Sequence, residues 1–102
     1  MTRIGDETVN SFRHGRKSGI GAAVAPLTAA AVLATKGVQL RAADANSGVV
    51  YVGQSTLTAD TADATDGYPL AAGETLFVPV NDASKIFLRA TAESQKVFWF
   101  VA

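Results

Sequence analysis

The chain has 102 residues and a mass of 10.5 kDa, which leaves room for one small domain with a tail but excludes two independent cores. Nine Lys and Arg balance nine Asp and Glu, so the net charge gives no pull towards nucleic acid or a membrane. The absence of cysteine excludes disulfides, a thiolate zinc site and a cysteine nucleophile.

The balanced total hides an uneven distribution of charge. Residues 1–36 carry five cations against two carboxylates, whereas residues 37–102 carry four cations against seven carboxylates. The sequence therefore has a basic beginning and an acidic body.

Residues 1–26 show neither a helical nor a strand period and end at Pro26, which predicts an extended N-terminal arm. The basic run 12–17 followed by the uncharged stretch 18–35 has the outline of a signal peptide. That stretch is mostly Ala, Gly and Thr and is too weakly apolar to insert in a bilayer. We therefore expect an arm that leads into the first strand, with no membrane association.

The β-sandwich domain is predicted to span residues 27–102. Residues 27–35 favour a strand, although their alanines also permit a helix. Residues 38–42 alternate apolar and polar, and the turn 44–48 leads to the apolar run 49–53. Two strands that are joined by a short turn with Asn and Gly predict a β-hairpin.

The second half of the domain repeats short strands between turns. A polar loop at 54–67 precedes Tyr68-Pro69-Leu70, and further strands are predicted at 75–80, 85–91 and 96–101. A proline within the run 75–80 indicates an edge strand or a bulge. This series predicts an all-β fold, a small antiparallel β-sandwich or jelly-roll-like barrel.

The last strand is apolar on both faces. Alternation places Val97, Trp99 and Val101 on one side, and Phe98 and Phe100 on the other. We expect the second side to be covered by the arm or by another subunit. The predicted subunit interface consists of Phe77, Phe87, Phe98 and Phe100, and the alternative is that these rings fill the core of the monomer.

No group of residues predicts catalysis, a cofactor or a metal. His14 is the one histidine of the chain, which argues against a catalytic triad or a two-histidine metal site. Asp60, Asp63 and Asp66 could converge on Ca²⁺, but their spacing is not that of an EF-hand, and a soluble loop explains them better. The basic group of the arm fits an acidic protein partner as well as nucleic-acid phosphates; it comprises Arg3, Arg13, His14, Arg16 and Lys17.

Four stretches of the body resemble the small β-rich virion structural proteins of tailed bacteriophages. They follow one another in the same order, and the resemblance covers residues 36–102. The stretches are Lys36-Gly37-Val38-Gln39-Leu40-Arg41-Ala42, Gly48-Val49-Val50-Tyr51-Val52-Gly53, Gly67-Tyr68-Pro69-Leu70-Ala71-Ala72-Gly73-Glu74 and Lys85-Ile86-Phe87-Leu88.

The resemblance implies a head decoration or cement protein, a virion component on the capsid surface that is assembled in the host cytoplasm. It implies no enzymatic turnover and no cofactor. The expected partners are the major capsid protein, contacted by the basic arm, and further copies of the chain, with no nucleic acid and no membrane. The alternative function is a fibre- or tail-associated module that binds a glycan through Tyr51, Tyr68 or Trp99 and the loop 54–67.

Overall fold

The structure is a computed structural model, which describes residues 13–57 and 67–102. These residues form eight β-strands and one short 3₁₀ turn, Ala83–Lys85. The strands are β1 (Arg13–Ile20), β2 (Ala25–Pro26), β3 (Val38–Ala42), β4 (Val50–Gly53), β5 (Tyr68–Leu70), β6 (Thr75–Val78), β7 (Phe87–Ala90) and β8 (Gln95–Val101).

The strands form two antiparallel sheets of four strands each. Sheet A has the order β1-β8-β3-β6, and sheet B has the order β2-β7-β4-β5. The ladders pair β1 with β8, β2 with β7, β3 with β6 and β4 with β5, as if one long hairpin had been rolled into two layers. This is the strand arrangement of a jelly roll. The all-β, two-sheet prediction is thereby confirmed.

The core lies between the two sheets. Side chains that alternate with outward ones along the strands form one buried cluster, because successive residues of a strand point to opposite sides. Sheet A contributes Val38, Leu40, Val97 and Val101, and sheet B contributes Val50, Leu70 and Leu88. Leu76, Val78 and Val80 pack against this cluster, as their alternation with Phe77 and Pro79 predicts.

The predicted hairpin of residues 38–42 with 49–53 is wrong, because β3 and β4 lie in different sheets. The turn between them is fastened to β8 instead. The Asn46 side-chain amide donates to the carbonyl of Lys96 at 2.9 Å and accepts from its backbone N–H at 2.9 Å. The backbone N–H of Gly48 donates to the side-chain oxygen of Gln95 at 2.9 Å. These bonds direct the chain across from one sheet to the other.

The predicted strand at residues 27–35 is also absent; only an isolated bridge between Leu33 and Asp82 forms there. Its backbone amides bond to the segment that joins β6 to β7. Leu27 donates to the carbonyl of Ile86 at 2.8 Å, and Ala34 donates to the carbonyl of Asn81 at 2.9 Å. The stretch therefore closes one end of the sandwich.

The sheets begin within the segment that the sequence assigns to the arm. Strand β1 pairs along β8 from Arg13 opposite Val101 to Lys17 opposite Val97, and β2 ends at Pro26. An arm of residues 1–26 and a body of 27–102 therefore do not coincide with the limits of the sheets. Residues 1–12 lie outside the described part of the chain.

Candidate functional site

The outward side of sheet A carries three exposed phenylalanines. Phe98 and Phe100 point outwards from the central strand β8, while Val97 and Val101 point into the core. The exposed fractions are 44% for Phe77, 45% for Phe98 and 38% for Phe100. Strand β8 is hydrogen-bonded to a strand on each side, and β6 is bonded to β3 at the edge of the sheet. These ladders hold the strands that carry the rings, so the surface is preformed.

The strand register places polar and basic residues between these rings. One row across the sheet reads His14, Phe100, Gln39, Phe77. The next row reads Arg16, Phe98, Arg41, Thr75. Lys96 lies two residues before Phe98 on β8, so it points to the same side of the sheet, and it is exposed at the end of this face. We call this surface, comprising His14, Arg16, Gln39, Arg41, Thr75, Phe77, Lys96, Phe98 and Phe100, the aromatic–basic face.

Carboxylates are confined to the connections between strands. The four Asp and Glu side chains of the described residues are Asp44, Glu74, Asp82 and Glu93, none of which lies within a strand. Asp44 follows β3 and accepts a hydrogen bond from the Arg41 guanidinium at 2.9 Å. The aromatic–basic face is therefore positively charged, with one of its arginines partly neutralised at its margin.

A shallow hollow of about 280 Å³ opens in this face. Its lining is mostly apolar and includes Phe98, Phe100, Arg41 and Thr75. A hollow of this size accommodates one or two side chains of a partner.

The structure separates the predicted subunit interface into two groups. Phe77, Phe98 and Phe100 share the aromatic–basic face, whereas Phe87 lies on β7 of sheet B and points away from the core on the opposite side of the sandwich. Alternation along single strands is readable from the sequence, but the sheet to which a strand belongs is not.

The predicted basic group of the arm is divided as well. His14 and Arg16 stand beside Phe100 and Phe98 on the aromatic–basic face. Arg13 and Lys17 occupy the alternate positions of β1, opposite Val101 and Val97. Arg3 lies outside the described residues. Two members of the basic group that was assigned to a reaching arm, His14 and Arg16, thus belong to the same sheet face as the aromatic rings.

Sequence reasoning missed Arg41 and Lys96 as members of this site. Each alternates with buried residues on its own strand, which is a readable sign that it points outwards. The register that sets Arg41 opposite Phe98 depends on pairing between β3 and β8, strands more than fifty residues apart.

The aromatic residues of the predicted glycan site do not form a common platform. Trp99 faces inwards against the core, and its ring lies so close to Gly15 that a Cβ there would be 2.6 Å from the indole Cζ2. Tyr51 is half-buried on the outward side of sheet B, and Tyr68 is exposed at its edge. Most of the loop, residues 58–66, lies outside the described residues.

A second opening lies between the two sheets on the side of β5 and β6. This cleft has a volume of about 680 Å³ and apolar walls that include Val52, Val78 and Ile86. Tyr68 and Lys85 stand among its lining residues. It is larger than the hollow in the aromatic–basic face.

Among the described residues, no three His, Asp or Glu side chains come together as a possible metal site. Asp60, Asp63 and Asp66 are not among them. In the same part of the chain, no helix has the length and apolar character that crossing a membrane would need.

One carboxylate has a shifted pKa, and its role is structural. Asp82 accepts hydrogen bonds from the backbone N–H of Ser84 at 2.9 Å, the Ser84 hydroxyl at 2.8 Å and the backbone N–H of Val32 at 3.1 Å. The bonds from Ser84 are the main reason that the pKa of Asp82 is lowered below its ordinary value of 3.8. The side chain caps the 3₁₀ turn and ties it to the segment before β3.

Comparisons of the chain with protein-family models, with curated proteins and with solved structures find no match. The aromatic–basic face and the strand arrangement are therefore the features from which a function is inferred.

Proposed function

We propose that this protein is a bacteriophage virion structural protein, a decoration or cement protein that binds and stabilises the assembled head lattice. Its role in that setting is to dock on the major capsid protein and to clamp neighbouring capsid subunits, without chemical turnover. The resemblance of residues 36–102 to small virion proteins supports this assignment.

The observation that carries the proposal is the aromatic–basic face. Exposed aromatic and arginine side chains on a rigid support are typical of the residues that dominate binding energy in protein interfaces. Phe98 exposes 45% of its surface from the middle of a strand that is paired on both sides. A docked protein would bury the exposed part of this ring, and burial of apolar surface favours binding.

The fold is compatible with this role. Eight-stranded jelly rolls recur in viral capsid and lectin domains, although a fold alone does not define a function. The two layers contain no cysteine, which suits a protein that folds in a reducing cytoplasm.

Weak individual contacts are sufficient on a lattice. Identical capsid subunits present the same site at regular spacing, so any link between copies of the decoration protein raises the effective concentration of each site. Stabilisation of the shell then follows by mass action, because the protein binds the assembled lattice and not its dissociated subunits.

Purified tailed-phage capsids that were assembled without this chain provide the test. Mixed with the protein and sedimented, they should carry it down, and their thermal disassembly should shift to higher temperature. Phe98→Ser should abolish cosedimentation, whereas Tyr68→Ser, which removes a ring that is 59% exposed and lies outside the face, should leave it intact. Capsids that sediment without the wild-type protein would contradict the proposal.

The cleft favours a second candidate function, a fibre- or tail-associated module that binds a glycan or another surface ligand. Its 680 Å³ volume lies in the range of small-molecule sites, and Tyr68 offers an exposed ring at its margin. Glycan-array binding that Tyr68→Ser abolishes and Phe98→Ser leaves unchanged would support this candidate over a decoration protein.

A further inference from the structure

We propose that the aromatic–basic face docks on an acidic surface of a partner protein and accepts an apolar side chain of that partner, which is flanked by carboxylates. The inference rests on the proposed function and specifies the chemistry of the capsid surface that the protein recognises. It also assigns the face to the partner and not to a second copy of this chain.

The aromatic–basic face carries positive charge. Arg16, Arg41 and Lys96 point outwards from three different strands of sheet A, and His14 lies on the same face opposite Phe100. None of the outward strand positions that the structure describes on this sheet holds a carboxylate. Complementary potential therefore requires an acidic partner.

The hollow in this face lies close to two arginines. Phe98, Phe100 and Arg41 line the hollow, and the register sets Arg16 opposite Phe98 on the neighbouring strand β1. An apolar side chain in the hollow would lie beside Arg41 and Phe98, with Arg16 on the far side of that ring. Carboxylates next to that side chain would then meet arginine, whose planar group binds carboxylate with two parallel hydrogen bonds.

The same positive charge opposes a symmetric pair of copies of this chain. A two-fold axis over this face would bring the same three cations of each copy towards one another. Asp44, the described carboxylate that follows β3, is already bonded to Arg41 at 2.9 Å. The like charges would be desolvated without partners, which opposes association.

The shape of this face favours a protein partner over single-stranded nucleic acid. Stacking of bases needs open ring faces along a continuous positive groove. Here the rings are between 38% and 45% exposed, and one flanking arginine is held by a carboxylate. A recessed apolar hollow with separate cations around it fits a side chain better than a polyphosphate backbone.

Fluorescence anisotropy with labelled peptides tests this chemistry on the full chain. We expect a peptide of alternating Glu and Leu to bind, and a peptide of alternating Lys and Leu, a peptide of alternating Glu and Ser and an oligo-dT strand to bind at least about tenfold more weakly. Binding should weaken as salt increases, because exposed charges are screened.

Charge-reversal variants locate the site. Arg16→Glu and Lys96→Glu should each weaken binding of the Glu–Leu peptide about fivefold or more. Lys85→Glu makes the same change of charge on the 3₁₀ turn, away from the face, and should leave the affinity unchanged. Circular dichroism establishes that each variant is folded.

Several results would overturn the inference: equal affinity for oligo-dT, preference for the Lys–Leu peptide, no peptide binding, or capsid binding that Arg16→Glu leaves intact. The last of these would leave the proposed function standing. Peptide binding with the expected charge dependence, together with no binding to capsids, would instead support the chemistry of the face and contradict the decoration function.

Discussion

Gln95 is the one buried polar side chain among the described residues, at 3% exposure, and its hydrogen-bonding capacity is used. Its amide nitrogen donates to the carbonyl of Glu93 at 2.6 Å and to the Ser47 hydroxyl at 3.3 Å. Its oxygen accepts from the backbone N–H of Gly48 at 2.9 Å. The residue thus joins the start of β8 to the turn that crosses between the sheets.

Gln95→Met should therefore destabilise the protein, because a side chain of similar length would leave the Gly48 N–H and the Glu93 carbonyl without partners. We expect the free energy of unfolding to fall by about 1–3 kcal/mol. Denaturant titration measures the change. Gln54→Met, at an exposed bend, is the matched control and should change stability little. Equal effects of the two substitutions would contradict this account of Gln95.

Asp82 predicts how stability depends on acid. Hydrogen bonds from Ser84 and Val32 lower the pKa of its carboxyl in the folded protein below the ordinary value of 3.8. A lowered folded pKa means that the contribution to stability is present above the ordinary pKa and is lost as the pH falls through the folded pKa. Acidification below about pH 4 should therefore destabilise the wild type more than Asp82→Asn. Thermal unfolding across this pH range compares the two proteins. An equal loss of stability in acid for the wild type and Asp82→Asn would contradict this role of the Asp82 carboxylate.

At the scale of elements, β1 is the segment that most changes how the chain should be divided. The sequence boundary at 26 and 27 predicts that the body folds without the arm. The structure places β1 along β8 and buries Ile20, at 1% exposure, in the core. Removing residues 1–26 would turn β8 into an edge strand, with a free ladder next to Phe98 and Phe100.

We therefore expect the chain that lacks residues 1–26 to lose cooperative unfolding or to aggregate, whereas the chain that lacks residues 1–12 keeps all eight strands and unfolds cooperatively. Light scattering and thermal denaturation distinguish these outcomes. A soluble, cooperatively folding product of the longer deletion would show that β1 is dispensable and would restore the sequence boundary.

The elements that were predicted well are those with a strict period of two. Residues 38–42, 75–78 and 95–101 alternate core and surface, and the structure follows that alternation. Prediction failed where backbone partners are distant in sequence. The turn with Asn46 has the composition of a hairpin turn, but it is bonded to Lys96. The strand predicted around Val32 is prevented because its amide bonds to the capping carboxylate of Asp82.

The same limit applies to the site. The sequence showed that Phe98 and Phe100 share a side, and that β6 with Pro79 near it belongs at an edge, where the structure has it. It assigned the rings to one interface and the basic residues to another. Only the register of β1, β8 and β3 shows that Arg16, Phe98 and Arg41 lie side by side. Three rings of the predicted aromatic interface and two residues of the predicted basic group therefore share one surface, the aromatic–basic face.

At the scale of the whole molecule, the division of charge between faces and turns predicts how copies of the chain behave towards one another. The sequence predicted a homo-oligomer through Phe77, Phe87, Phe98 and Phe100, and that stays a prediction. Phe87 lies on the other sheet, and of the remaining three rings Phe98 has Arg16 and Arg41 directly beside it on the neighbouring strands. Contact between two such faces is opposed by charge, and salt screens that repulsion.

Self-association and binding to an acidic partner should therefore respond to salt in opposite directions. We expect size exclusion with light scattering to show a monomer in low salt, with any association through the aromatic–basic face increasing as salt rises and disappearing in Phe98→Ser. Tyr68→Ser, whose ring is 59% exposed outside this face, is the control and should behave as the wild type. An oligomer that is stable in low salt and dissociates in Phe98→Ser would instead mean that the face joins copies of the chain, because buried apolar surface would then outweigh the repulsion of its cations.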